Sequence, residues 1–362
     1  MKPYKAATLP LNKDMIDPSF FYEELIDAVT KLEVYKEKIN DSKLDSYWFM
    51  PTLQQKEALA SSMLEGTQAT IDGVLINKAV PNKKSKDLKE VENYFRVTER
   101  GYRFLAREQF SKEFILEIHK DLLENSERND SSEVGKFRKK QNYIGKTNGD
   151  YGLVFTPPAP EDVEGLMENL VDYIVNPKDK LRSLVRTAII HGQFLTIHPF
   201  MDGNGRVGRI LIPLYMYYCK EIQLPCFFIS EALERDKFKY YKYLNSIRTD
   251  NDWNSWIKFF LETVTKQCIK YIQIISDLNK LYDADLKRIC DKTGSNKMVE
   301  LMNLLYEFPV ITPKIVVDRL KIAPSTANRY LKQLVDEEIL FTDEKKRYRT
   351  FFYYDLLAIL RK

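Results

Sequence analysis

The chain has 362 residues, 44% hydrophobic and 30% charged, with 56 Lys and Arg against 52 Asp and Glu for a formal net charge of +4. That is the composition of a globular protein long enough for two or three domains, and so mild a charge gives no global argument for nucleic acid. Four cysteines, Cys219, Cys226, Cys268 and Cys290, stand singly with no CxxC, which argues against disulfides and metal ligation.

In chain order, "MKPYKAATLPLNKDM" lacks the apolar run of a signal peptide, and Pro3, Pro10 and Pro18 favour extended backbone. No stretch reaches 18 uninterrupted apolar residues, so the expectation is a cytoplasmic protein without a membrane span. Apolar spacing of 3.6 residues predicts helices over 21–39, 53–67, 85–106 and 111–124, the last with Ser111 as N-cap and Glu113 in its first turn. The pattern then breaks at "VGKFRKKQNYIGKTNGDYGLVFTPPAP" (134–160), where Asn148-Gly149 signals a hairpin between "QNYIG" and "LVFT". Helices resume over 161–175, 181–197 and about 204–219, then through "ERDKFKYYKYLNSIR" and a long stretch ending near 290. "DKTGSN" (291–296) reads as a boundary before a small unit of three helices closed by "LFTDEKKRYRTFFYY" (340–354).

The most informative stretch is "HPFMDGNGRVGR", 198–209, set between two apolar helices. Gly203 and Gly205 let backbone amides turn inward at a helix N-terminus, and Asn204 tolerates the same dihedrals, which suits an anion. Arg206 and Arg209 share the first helical turn and oppose the helix dipole, so something anionic must compensate them; two guanidinium forks fit several phosphates better than one carboxylate. Asp202 would repel those phosphates unless Mg²⁺ lay between. His198 is placed to take a proton from an incoming hydroxyl near neutral pH.

These residues resemble the signature of the Fic family, His-x-Phe-x-Asp/Glu-Gly-Asn-Gly-Arg-x-x-Arg, met here at His198, Phe200, Asp202, Gly203, Asn204, Gly205, Arg206 and Arg209. The resemblance implies a mainly α fold: an N-terminal helical extension (1–105), a Fic core with a β-hairpin flap (106–290) and a C-terminal winged helix (291–362). It implies transfer of AMP from ATP to a Tyr, Thr or Ser hydroxyl of a target protein, with the chain itself a plausible target. His198 would then be the general base. Asp202 would hold Mg²⁺, and the stretch Gly203, Asn204, Gly205, Arg206, Val207, Gly208 and Arg209 would hold ATP, with Arg209 on the γ-phosphate. Phe200 is expected only to anchor the loop, and of Tyr240 and Tyr241 the second is favoured beside adenine. The flap would align the target as an added strand.

"SSMLEG" (61–66) is similar to the family's inhibitory motif. Ser61 and Glu65 stand at i and i+4 on the 53–67 helix, so Glu65 would pair with Arg209 in the place of the γ-phosphate. Dimerisation would be a simple way to regulate such a brake. In the C-terminal unit Ser325, Thr326, Asn328, Arg329 and Lys332 lie on or near the second helix and "KRYR" (346–349) makes a basic turn, which points to DNA or to protein docking. Asp336, Glu337, Glu338, Asp343 and Glu344 count against DNA. Two classes therefore stand. One is an adenylyltransferase checked by Glu65. The other is a DNA-binding or toxin–antitoxin-like regulator whose core senses nucleotide; within the enzyme class, removal of AMP or transfer of another phosphate-containing group uses similar residues.

Overall fold

A helix that is apolar on every side must be buried on every side, and "SLVRTAIIHGQFLTI" is one: in α7 (Ser183–Ile197) every residue but Arg186 is buried. It stops where His198 takes a left-handed conformation (φ 51°) and Pro199 cannot continue the ladder. After a loop of six residues, 198–203, the chain re-enters helix as α8 (Asn204–Tyr218), buried almost throughout. This pair is the centre on which the site is built. The computed structural model describes residues 2–81, 85–124, 133–145, 155–293, 296–343 and 349–362, with the side chains of 290–293 excepted.

Before this pair come α1 (Tyr22–Asn40), α2 (Ser46–Leu64), α3 (Ile71–Ala79), α4 (Lys86–Leu105), α5 (Lys112–Leu122) and α6 (Pro160–Val175). After it come α9 (Ser230–Arg235), α10 (Lys237–Thr249), α11 (Trp253–Thr293), α12 (Asn296–Glu307), β1 (Val310–Ile311), α13 (Pro313–Leu320), α14 (Pro324–Asp336), β2 (Phe341–Thr342), β3 (Phe351–Phe352) and α15 (Tyr354–Arg361). The protein is thus mainly helical, as expected. Ser111 caps α5 by accepting from the Phe114 amide at 3.0 Å. Three expectations differ. α2 begins at Ser46, with Pro51 inside it, rather than at 53. The single helix read through "ERDKFKYYKYLNSIR" is broken at Asp236 into α9 and α10. α3, capped by Thr70 on Gly73, is an additional helix. The hairpin turn "KTNGDYG" with Asn148-Gly149, Leu153 and Val154 of "LVFT", Gly294 and Ser295 of the boundary, Glu344, and Lys346, Arg347 and Tyr348 of the basic turn lie outside the described residues.

The chain divides into two compact units. Unit one comprises 1–32, 60–67 and 92–267 and holds α5–α10. In it the chain on either side of the undescribed 146–154 segment is tied by an antiparallel bridge, Ile144 and Phe155 exchanging backbone hydrogen bonds at 2.9 and 2.8 Å. Unit two comprises 33–59, 68–91 and 268–362. Its antiparallel sheet has the order β1-β3-β2, with Phe352 opposite Val310 on one side and Phe341 on the other. Met298, Leu301, Leu305, Val316, Leu331 and Leu340 fill its core. Among the described residues no helix is long and apolar enough to cross a membrane.

Candidate functional site

The loop from His198 to Gly203 is held in shape by its own backbone and three outside side chains. Asn204 closes it from within: Oδ1 accepts from the Phe200 amide at 2.9 Å, and Nδ2 donates to the Phe200 carbonyl at 2.8 Å. Asn142 donates to that same carbonyl at 2.9 Å. Arg138, 2% exposed, donates through Nε to the His198 carbonyl at 2.9 Å and through a terminal nitrogen to the Pro158 carbonyl at 2.5 Å. A buried cation at the C-terminal end of α7 is also favoured by the helix dipole. His119 lies flat on Phe200, ring centroids 3.7 Å apart, and meets the Asp202 carbonyl through Nε2 at 3.1 Å. Its Nδ1 accepts from the Gly135 amide at 2.9 Å, so the proton sits on Nε2, which donates. Phe200 is fully buried and anchors the loop.

Gly203, with φ 77°, turns the chain into α8 in a conformation that favours glycine. Gly205 meets a second need, close approach: a Cβ there would lie 2.0 Å from Glu65 Oε1. The Glu65 carboxylate therefore rests on the first turn of α8. It accepts from a terminal nitrogen of Arg209 at 2.6 Å; that same nitrogen donates to the Ser61 carbonyl at 3.0 Å, and Nε of Arg209, 1% exposed, donates to Ser61 Oγ at 2.8 Å. Burial alone would raise the Glu65 pKa, but Arg209, then Arg206, outweigh it and hold the carboxyl below its ordinary range. Arg206 is buried, with Asp202 at 3.6 Å. The Val207 side chain is buried in the core and its amide donates to the Gly203 carbonyl at 2.9 Å, while a Cβ on Gly208 would lie 3.1 Å from Phe194 and Leu195 of α7 and the Gly208 carbonyl accepts from His191, so these two positions pack α8 against α7. Asp202 keeps 44% of its side chain open at the edge of this arrangement.

The chain's three histidines lie in the loop (His198), against it (His119) and against α8 (His191). His198 places Nδ1 3.3 Å from the Leu195 carbonyl, an acceptor, which leaves Nε2 with its lone pair. Burial, then the Arg248 and Arg138 guanidinium groups, push its pKa down to about 3. His191 donates Nδ1–H to the Gly208 carbonyl at 2.9 Å and accepts from the Tyr240 hydroxyl at 2.8 Å, with burial pushing its pKa to about 3. Burial pushes His119 to about 4. Each imidazole binds its proton less readily folded than unfolded, where it titrates near pH 6.5. The stability this leaves is complete above about pH 6.5 and is lost as the pH falls toward those values, by up to about 1.4 kcal/mol per pH unit for each ring. Urea titrations should therefore show stability falling between pH 6.5 and 5, before the carboxylates protonate. Constant stability across that window would contradict a fold that holds the three rings neutral.

Tyr240 is fully buried and committed to His191, whereas Tyr241 is 44% exposed, with its hydroxyl 3.5 Å from the Leu64 carbonyl at the end of α2. Lys237 donates to that same carbonyl at 2.8 Å. Of the pair, only Tyr241 offers a face to a ligand. As a metal site the arrangement is open: among the described residues no three His, Cys, Asp or Glu side chains gather to cage an ion. One carboxylate at the rim of an anion nest would fit a Mg²⁺ shared with bound phosphates, since that ion keeps most of its shell as water and phosphate oxygen. Arg138, His119, Asn142, Arg248 and Lys237 are additions to what the sequence pointed to. They act across the fold, and no local spacing announces them.

A profile of the Fic/DOC family matches residues 109–216, and one of the Fic/DOC family N-terminal region matches 22–103, between them more than half of the chain. The chain is 33% identical over 158 residues to protein adenylyltransferase fic-1 of Caenorhabditis briggsae, covering 41% of this chain and 28% of that protein. It is 29% identical over 172 residues to a probable protein adenylyltransferase of Aquifex aeolicus, covering 45% of this chain and 48% of that one. It thus spans less than half the length of either relative. A Fic family protein from Desulfovibrio desulfuricans G20 matches the fold over 98% of both chains, with a TM-score of 0.60 at 17% identity.

Proposed function

Because the chain belongs to the Fic/DOC family, we propose that it is a protein adenylyltransferase, moving AMP from ATP to a Tyr, Thr or Ser hydroxyl of a target protein, its own chain included. One observation carries the reading: a buried arginine at the start of α8 has its charge met by a carboxylate laid on Gly205, the place and chemistry a phosphate needs. The relatives named protein adenylyltransferase support it.

On this reading the amides where α8 begins, from Gly203 to Arg206, face the phosphates, the Val207 amide being spent on the Gly203 carbonyl at 2.9 Å; Arg206 neutralises them, and Arg209 takes the γ-phosphate. His198 Nε2 accepts the proton of the target hydroxyl, whose oxygen attacks the α-phosphorus; the bond to the bridging oxygen breaks and pyrophosphate leaves. Asp202 would hold Mg²⁺, which when bound supplies charge neutralisation to the phosphates. Tyr241 flanks the base. Glu65 is a brake: it occupies Arg209, so that ATP seated beside it has its triphosphate bent away from in-line attack. Residues 291–362 are read as a winged helix.

The test is the fate of label. Protein-bound label from α-labelled ATP, and none from γ-labelled ATP, is the expected result. Label from γ-labelled ATP alone would make the chain a kinase and overturn the reading.

A further inference from the structure

In unit two, α13 and α14 are joined by only three residues, Lys321–Ala323, with Lys321 left-handed (φ 52°) at the end of α13. Two short helices joined by so tight a turn make a helix-turn-helix. α14 has two unlike faces. Ala327, Leu331 and Leu334 point into the core, whereas Ser325, Asn328, Arg329 and Lys332 are exposed at helical spacing on the opposite side.

The charge on that outer face is ordered. Lys321 in the turn, Arg329 and Lys332 on α14 and Lys314 on α13 are exposed and make no ion pair among the described residues. Arg319 of the same helix pair is taken by Glu307 at 2.5 Å, so free cations are not simply the habit of this unit. The acids Asp336, Glu337 and Glu338 follow at the far end of α14, and Asp318 is the exposed acid of α13. A helix with cations and amides in its first turns and carboxylates only at its end is suited to enter an anionic groove N-terminus first.

We propose that this face binds double-stranded DNA, the first two turns of α14 entering the major groove. Ser325 to Lys332 covers about 10 Å of helix, which matches a groove roughly 12 Å wide. Arg329 and Asn328 reach base edges, the side-chain types that pair with guanine and adenine. Lys314, Lys321 and Lys332 meet phosphates and set orientation. The acidic end of α14 lies where the helix leaves the groove. The inference rests on the winged-helix reading of 291–362 and is independent of nucleotide transfer in unit one.

The test is fluorescence anisotropy of the full chain with a short labelled duplex of random sequence. Three neutralised phosphates give a slope of log affinity on log salt of about −2.7, so affinity should fall about 40-fold between about 50 and 200 mM salt. The triple variant Lys321→Ala, Arg329→Ala, Lys332→Ala should flatten the slope to about −0.9 with its helical circular dichroism unchanged. Lys43→Ala, which removes a cation already paired with Asp283 in the same unit, should change nothing. Absence of binding at low salt, or a triple variant that binds as the parent does, would overturn the proposal. So would polyglutamate competing as well as duplex, which would assign the face to an acidic protein. A chain that labels from ATP yet ignores duplex loses only this inference.

Discussion

Glu65→Gly should raise transfer of AMP from α-labelled ATP by on the order of 100-fold, the cost of holding reacting groups about 1 Å out of line. The variant removes the carboxylate from buried Arg209 and leaves it neutral partners, among them the Ser61 hydroxyl and carbonyl. Without nucleotide it should therefore be less stable by about 1.5–3 kcal/mol, the usual worth of a hydrogen bond to a charged group. ATP with Mg²⁺ should return that stability, because the γ-phosphate replaces the missing carboxylate, and the thermal shift on adding ATP should be larger for the variant than for the parent. Glu65→Gln, which keeps the shape and removes the charge, should fall between the two. If Glu65→Gly binds ATP but transfers no faster than the parent, Glu65 is no brake and its bond to Arg209 is only structural.

The two halves of this brake differ in how they are encoded. The arginines, glycines and Asp202 sit within eight residues of one another, so spacing alone exposed their shared chemistry. Glu65 is 144 residues from Arg209, and nothing in the intervening chain announces their meeting; a second family motif was needed to suggest it. Arg138 and His119 had no such help. Each reads locally as an ordinary loop cation or helix residue, yet Arg138 carries the His198 carbonyl and His119 the Asp202 carbonyl. The missed boundaries have similar causes. α2 starts seven residues before 53 and runs through Pro51, a residue that disfavours a helix interior in general but here removes few of its bonds. α3 is nine residues long and includes Gly73, too short and too weak a pattern to register without its Thr70 cap. The break at Asp236 leaves the helical charge pattern intact on both sides, so periodicity could not reveal it.

His198→Ala should lower the rate of transfer by about 10²–10⁴-fold, the usual contribution of a general base, while ATP binds nearly as before. His198 holds a left-handed conformation at φ 51°, so alanine also brings backbone strain. His198→Asn is the cleaner variant, because asparagine tolerates that conformation and cannot take the proton; both should lose the same activity. The pH dependence separates a base from a merely well-placed ring. Burial and the Arg248 and Arg138 cations hold His198 near a pKa of about 3 in the free protein, so kcat/KM on the Glu65→Gly background should owe it no acid limb between pH 8 and 5. An ordinary imidazole would lose roughly thirtyfold by pH 5. Bound triphosphate places negative charge beside the same ring and raises its pKa, so the acid limb of kcat should lie at higher pH than that of kcat/KM. Because these two profiles report the nucleotide complex and the free enzyme respectively, their separation measures how strongly the phosphates in the nest are felt at Nε2. Coincident profiles would mean that His198 does not face the transferring phosphate.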